Sequence, residues 1–263
     1  MPNQLAVITG ASSGIGYNLA KVFAENRFDL VIASHGDRLD KAEQDFKAMG
    51  VQVTSVHADL ATYDGVEELW RAVEALGRPV NAAAINAGVG VGGLFAETDL
   101  EKELNLVRLN VEGTMHLAKR VVQHMVARGE GKILFTASIA SEMVAPREAV
   151  YAASKAFGLS FAKSLREELE GTGVSVTALQ PGPTDTDFFH RADMDNTKVG
   201  QEGKKDSDPY DVAKQGYAAL MNGEKHVYAA SITTKLQGAL ANFVPDSLKA
   251  SLHGNQAKPV DSK

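Results

Sequence analysis

Apolar residues gather in short runs separated by longer stretches of helical period. The runs are Leu5 to Thr9, Leu30 to Ser34, Gln52 to Asp59, Ala82 to Asn86, Lys132 to Ser138, Ser175 to Pro181 and His226 to Ala230. Runs such as Leu5-Ala6-Val7-Ile8 and Ile133-Leu134-Phe135 are continuously apolar rather than alternating, the pattern of strands covered on both faces. Between them, helical periodicity predicts helices over Ile15 to Glu25, Leu39 to Met49, Val66 to Leu76, Glu101 to Arg128 and Tyr151 to Glu170, the last four stopped by Gly50, Gly77, Gly129 and Gly171. Asp208 followed by Pro209 reads as an N-cap and first-turn proline, opening a helix to Asn222. Strands that alternate with helices imply parallel crossovers, so the expected fold is α/β: a Rossmann-like, doubly wound parallel sheet of about seven strands with helices on both faces.

A chain of 263 residues suits one such domain. Residues 187–208 break the alternation, are polar and carry both charge signs. They are expected to form a mobile loop inserted over a substrate, and residues 254–263 a loose tail. Hydrophobic residues make up 44% and the net charge is −6. The cationic side chains are dispersed, so no nucleic-acid footprint is expected. With no cysteine, disulfides, thiolate metal sites and thiol nucleophiles are excluded. His116, His124, His190, His226 and His253 lack paired ligand spacing, so no metal is expected. The opening residues lack the basic and apolar regions of a secretory signal, and Val80 to Phe95 is too broken to span a bilayer, so a cytoplasmic, membrane-free location is expected. The stretch Ser231 to Val244 has apolar residues in helical register but only Lys235 as a cation. A helix packed on protein is expected there rather than a membrane anchor.

The first strand runs straight into Thr9-Gly10-Ala11-Ser12-Ser13-Gly14-Ile15-Gly16 and a helix. Gly10 permits the turn, Gly14 lets backbone approach an anion, and Gly16 lets the helix lie close to the sheet. The helix start then offers free N–H groups and the positive end of its dipole to a diphosphate. Farther along, Tyr151 and Lys155 stand four residues apart, on one helix face with Cβ atoms about 6 Å apart. An ammonium there can stabilise a phenolate by Coulomb attraction. Ser138 closes a strand, where ligands of doubly wound sheets bind, and can donate to an oxygen gaining charge; Ser141 is the alternative candidate. Asn110, flanked by apolar residues inside a helix, needs a polar partner.

Thr-Gly-x-x-x-Gly-x-Gly, Asn110-x-x-Gly113, and Ser138 thirteen positions before the Tyr151-x-x-x-Lys155 pair resemble the motifs of the short-chain dehydrogenase/reductase family. The likeness runs from Leu5 to about Gly223. Asn86-Ala87-Gly88 is similar to the family's Asn-Asn-Ala-Gly segment, with Ile85 departing at its first position, and Asp59-Leu60 is similar to the pair that contacts adenine. Pro181-Gly182-Pro183-Thr184-Asp185-Thr186 resembles the segment that holds the nicotinamide carboxamide through Thr184 and Thr186. The resemblance implies hydride transfer between a nicotinamide and a carbonyl or alcohol. Ser138 and Tyr151 would bind the substrate oxygen, Lys155 would tune the tyrosine, and Asn110 would organise a proton relay. Tyr151 and Lys155 would also meet the nicotinamide ribose. A homodimer or homotetramer is implied too.

In this fold an acid ending the second strand selects NAD. Here Ser34 takes that position, with His35 next and Arg38 in reach, so NADP (NADPH) is expected over NAD. Asp37 folding back as a ribose ligand, or Arg38 as an ordinary solvated residue, remain alternatives. The competing functional reading is a non-catalytic, NAD(P)-sensing regulator, which would be expected to lose the tyrosine or lysine that this chain keeps. Met143, Val144, Phe188 and Phe189 suggest an apolar substrate pocket.

Overall fold

The computed structural model describes residues 3–192, 194, 196–198, 201, 207–229 and 253–258. The stretch Ser231 to Val244 lies outside them. Seven parallel strands form one sheet in the order β3-β2-β1-β4-β5-β6-β7. They are β1 (Leu5–Thr9), β2 (Asp29–Ser34), β3 (Val53–His57), β4 (Val80–Ile85), β5 (Gly131–Thr136), β6 (Val174–Pro181) and β7 (His226–Ala229). Side chains alternate across the pleat and feed two cores. Leu5, Val7, Ile133 and Phe135 join Leu69, Leu117 and Leu159 on one face. Ala6, Ile8 and Leu134 join Phe23, Phe46 and Leu220 on the other. That division explains the unbroken apolar runs, since each neighbour in a run serves a different core.

Helices α1 (Gly14–Glu25), α2 (Leu39–Lys47) and α8 (Pro209–Met221) cover the second face; α3 (Tyr63–Ala75), α5 (Thr114–Arg128) and α6 (Ala149–Glu168) cover the first. The expected helix over Glu101 to Arg128 is not a single α-helix. It consists of α4 (Leu100–Val107), a π-helical segment Arg108–Gly113, and α5. Asn110 and Gly113 lie in that widened turn and are buried. Part of the expected loop after β6 is ordered as a helical turn, α7 (Phe188–Arg191). Within the expected tail, Ala257 is buried against Phe189, Ala192 and Met194.

Strand order reverses around β1, which pairs with β2 on one side and β4 on the other. Loops leaving the carboxyl ends of β1 and β4 therefore diverge to opposite faces and leave a crevice, the position where open α/β sheets bind ligands. At the opposite end of the sheet, the buried Asp29 carboxylate accepts from Asn3 Nδ2 (3.0 Å), Gln52 N (3.0 Å) and Arg78 Nη1 (2.7 Å). Burial pushes its pKa up, but these donors outweigh it and hold the group below the usual range. The entries to β1, β2 and β4 are thereby tied together away from the crevice.

Candidate active site and cofactor crevice

Gly10 and Gly14 have φ of +68° and +58°, the left-handed region that glycine enters without strain. A Cβ on Gly16 would lie 2.2 Å from the Gly10 carbonyl oxygen, so α1 can pack this close only without a side chain there. Ser13 is the N-cap of α1 in extended conformation, yet its side chain caps nothing. The first N–H groups of α1, including those of Ile15 and Gly16, are thus left to an external acceptor, and the dipole favours an anion. This donor set fits a diphosphate. Beside it, a cavity of about 340 Å³ is lined by Ser12, Ser13, Gly14, Arg38, Lys41, Asp187 and neighbours. Ser34, at the end of β2, shares a 2.8 Å hydroxyl–hydroxyl hydrogen bond with Ser12. His35 and Asp37 are exposed, and Arg38 pairs with Asp187 at 2.5 Å.

Across the crevice, Thr9 Oγ1 accepts from the backbone N–H groups of both Asn86 and Ala87 at 2.9 Å, and Asn86 Nδ2 donates to the Thr9 carbonyl. The hydroxyl fixes the β4 exit loop to the end of β1. Gly88 follows, where a Cβ would sit 3.1 Å from Asn110 Oδ1 and 3.3 Å from Lys155 Nζ. Asn110 receives its partner: Oδ1 accepts from Val89 N (3.0 Å), and Nδ2 donates to Val89 O (2.9 Å) and Ser154 Oγ (3.0 Å). Ser154 in turn donates to the Tyr151 carbonyl at 2.7 Å. The π turn is held close by Gly113, where a Cβ would be 2.0 Å from the Leu60 carbonyl oxygen. Asp59 Oδ1 accepts from Ala61 N at 3.0 Å, shaping the same loop.

Ser138, Tyr151, Lys155 and Asn110 are all buried, at 5–9% exposure, although three of them are polar. Ser138 caps the 3₁₀ turn Ile139–Glu142, its Oγ accepting from Ala140 N at 3.1 Å. Ser141 takes a different task, donating to the Lys155 carbonyl at 3.0 Å and so fastening the serine turn to α6. Lys155 Nζ donates to the Thr136 carbonyl at 2.9 Å and lies 5.9 Å from the centre of the Tyr151 ring. Burial, then the Glu148 charge, push the Tyr151 phenol above its ordinary range, with Ser138 pulling the other way; burial lowers Lys155 to about 8. The phenol is therefore raised, contrary to the lowering expected from the ammonium, and the one group that lowers it is Ser138. Desolvation acts against the charged form of both groups, and a further positive charge in the crevice is what would favour the phenolate.

After β6, Gly182 N donates to Ala229 O at 3.1 Å and the buried Thr184 turns its hydroxyl onto Gly182 O at 2.8 Å. Pro181 is buried, and the side chain of Thr186 packs at Gly14, where an added Cβ would meet its Cγ2 at 3.1 Å. The segment then crosses the crevice. Phe188 lies 5.2 Å from the Tyr151 ring, against the backbone of Gly90, where an added Cβ would meet its ring, in the cluster that Val89 and Val91 also join. Phe189 meets the Phe188 ring edge-on at 5.6 Å but faces away from Tyr151's cluster, packing with Ala192, Met194 and Ala257. Met143 is half-buried and Val144 exposed.

The short chain dehydrogenase family model matches residues 4–197. This chain belongs to the short-chain dehydrogenase/reductase family. It is thus an oxidoreductase acting on CH–OH or C=O groups. It is 38% identical to a 1-deoxy-11-beta-hydroxypentalenate dehydrogenase of Streptomyces exfoliatus over 71% of this chain and 69% of that one. It is 28% identical to a dehydrogenase/reductase SDR family protein 7-like of Drosophila melanogaster over 93% and 78%. Among solved structures it resembles a short-chain dehydrogenase from Sphingobium yanoikuyae in complex with NADPH, with a TM-score of 0.78, 26% identity and coverage of 99% and 98% of the two chains. Among the described residues of this dehydrogenase/reductase, no helix is long and apolar enough to cross a membrane.

Thr9, Lys41, Ser154, Asp187 and Arg191 also belong to the site's framework and were not reached from the sequence. Thr9 stood inside the recognised motif. Its second task, bonding the β4 loop, depends on strand order and leaves no local trace.

Proposed function

We propose that this dehydrogenase/reductase uses NADP(H) and interconverts a carbonyl and a secondary alcohol, with Tyr151 as the proton donor in reduction and its phenolate as the base in oxidation. The observation that carries the chemistry is the buried convergence of Ser138, Tyr151 and Lys155 at the carboxyl edge of the sheet. Ser138 and Tyr151 offer two hydroxyls to one substrate oxygen. Lys155, held on the Thr136 carbonyl, keeps positive charge near the phenol. Asn110, anchored to Val89 and Ser154, orders the polar route behind it and would hold the relay water. A bound nicotinamide supplies the hydride, or accepts it, at a ring carbon.

For the cofactor, Gly10, Ser12, Ser13, Gly14, Ile15 and Gly16 would take the diphosphate side, and Asp59 and Leu60 the adenine. Asn86, Ala87, Gly88, Pro181, Gly182, Thr184 and Thr186 would line the nicotinamide half, with Tyr151 and Lys155 at its ribose. Preference for NADP is supported by what ends β2: Ser34 bonded to Ser12, then His35 and Arg38, beside a cavity that also takes Lys41. A carboxylate at that strand end would repel a 2′-phosphate; a hydroxyl pair and two cations receive it. The NADPH carried by the Sphingobium relative supports the same reading. Phe188, Val89 and Val91 beside Tyr151 favour a substrate with an apolar flank.

Titration with NADPH and NADH, followed by nicotinamide fluorescence, tests the assignment. Tight NADPH binding that Ser34→Asp with His35→Ala removes, together with NADPH-dependent carbonyl reduction, is expected. NADH binding as tight as NADPH would sink the NADP assignment, and binding of neither would revive the non-catalytic reading.

A further inference from the structure

The ion pair between Arg38 and Asp187 joins the two sides of the cavity in which the 2′-phosphate of NADP would sit. Arg38 precedes α2; Asp187 comes from the segment that crosses the crevice after β6. The Arg38 guanidinium holds the Asp187 carboxyl below the usual range, with Arg191 and His190 adding to it. From the same crossing segment, Arg191 reaches back to Ser13 Oγ at 3.4 Å, in the glycine-rich turn. It is pressed by burial first and by the charge of Arg38 second. Lys41 lines the cavity from α2. Two cations, Arg38 and Lys41, therefore line a space that Ser12 also lines, with Ser34 bonded behind Ser12 and Arg191 bonded to the lining Ser13, and the carboxylate of Asp187 occupies the Arg38 guanidinium.

A carboxylate on a guanidinium is chemically equivalent to part of a phosphate on that guanidinium: both are planar or tetrahedral sets of oxygens accepting charge-assisted hydrogen bonds. The two anions cannot share Arg38 without repulsion. We propose that Asp187 is an internal competitor for the 2′-phosphate, latched on Arg38 and displaced by it, so that this one side chain sets the preference for a phosphorylated over a plain ribose. This rests on the NADP reading given above. The latch is solvent-exposed, with both side chains more than half exposed, so its strength is that of a surface pair and a phosphate dianion can replace it. Because Phe188 follows directly and packs on Tyr151, exchange of partners at Arg38 acts on the segment that covers the tyrosine. A cofactor without the 2′-phosphate leaves the latch closed.

Calorimetric titration of the full chain with 2′,5′-ADP and with 5′-ADP isolates the interaction from turnover. The ratio of the two affinities is the readout. Asp187→Asn is expected to tighten 2′,5′-ADP by about 1.5- to five-fold, the range of an exposed charge pair, and to leave 5′-ADP unchanged. Asp187→Glu, which keeps the carboxylate, should stay near the wild type. Arg38→Gln should lower the ratio, and adding Asp187→Asn to it should produce no further gain, since the competitor acts only through that guanidinium. An unchanged ratio in Asp187→Asn overturns the proposal, as does equal tightening of both ligands, which would mark general electrostatics. Asp185→Asn, a neighbouring carboxylate on the same rim without contact to Arg38, must have the smaller effect; if it matches Asp187→Asn, the latch is refuted. A wild type that binds both ligands alike would fell the NADP reading itself. A wild type that prefers 2′,5′-ADP while the Asp187 variants do nothing fells only the latch.

Discussion

Tyr151 and Lys155 are placed where burial opposes their charged forms, and two outcomes follow at the scale of the single residue. Tyr151→Phe keeps the ring that Phe188 packs against and removes the phenolic hydroxyl. Carbonyl reduction should fall by at least about 100-fold, while NADPH binding, read by fluorescence, stays within about two-fold of the wild type. Lys155→Met should make the protein more stable near neutral pH. The folded lysine loses its proton at about 8 instead of the ordinary 10.5, so between those values the unfolded chain binds a proton that the folded one does not. Stability of the wild type therefore rises with pH across that window, and its deficit below pH 8 is on the order of 3 kcal/mol. Offsetting about 1 kcal/mol for the lost bond to the Thr136 carbonyl, the methionine variant should gain about 2 kcal/mol at pH 7. That gain should shrink as pH approaches 10.5; urea melts at pH 7, 9 and 10 check both the sign and the trend. The positions of this pair were legible because i and i+4 on a helix must share a face. The burial that sets their protonation was not, since it comes from Phe188 and the loop after β4, far away in the chain.

At the scale of elements, the helical period between Glu101 and Arg128 correctly announced helix but hid the π turn inside it. A π turn inserts one residue and so offsets the apolar stripe by one position, but the segments on either side keep the helical period, and periodicity reads them as one helix. Its sequence trace is the pair of residues that fit a plain helix poorly, Asn110 and Gly113. Asn110 pays for its place with three hydrogen bonds to Val89 and Ser154. Gly113 allows the Leu60 carbonyl to approach to where a Cβ would stand. Gly113→Ala must therefore push the π turn away from the β3–α3 loop. It should cost about 1–3 kcal/mol in urea denaturation. Because the same shift moves Asn110 away from Val89, it should also weaken NADPH binding. Substitution at the exposed Gly77, with nothing within 4 Å of an added Cβ, is the control that separates approach from φ, since its own φ is +58°. Gly77→Ala should lower stability alone. The strands, by contrast, were legible to within two residues at most ends, because fully buried strands need unbroken apolar runs and turns need glycine.

At the scale of the whole molecule, what the sequence could not reveal is how segments distant in the chain close over the site. Glu148 and His253 stand 105 positions apart, yet Glu148 Oε2 and His253 Nε2 lie 2.6 Å from each other, and both side chains are under 10% exposed. No local pattern marks either residue, and only the folded chain brings them together. The contact joins the start of α6, three residues before Tyr151, to a C-terminal turn whose Ala257 packs under Phe189 and Met194 of the crossing segment. One small turn thus touches both the tyrosine helix and the cover above it. Removing the histidine leaves a buried carboxylate without its donor, which is costly, whereas replacing both partners by apolar groups removes the demand for one. His253→Ala should therefore destabilise the chain by about 1–3 kcal/mol, and trypsin should cut after Arg191 faster because the cover loosens. The double variant Glu148→Leu, His253→Leu should recover most of that loss and restore resistance to trypsin. If the double variant is instead as unstable as the sum of the two single changes, the pair contributes no coupling, and the C-terminal turn holds the cover through Ala257 alone.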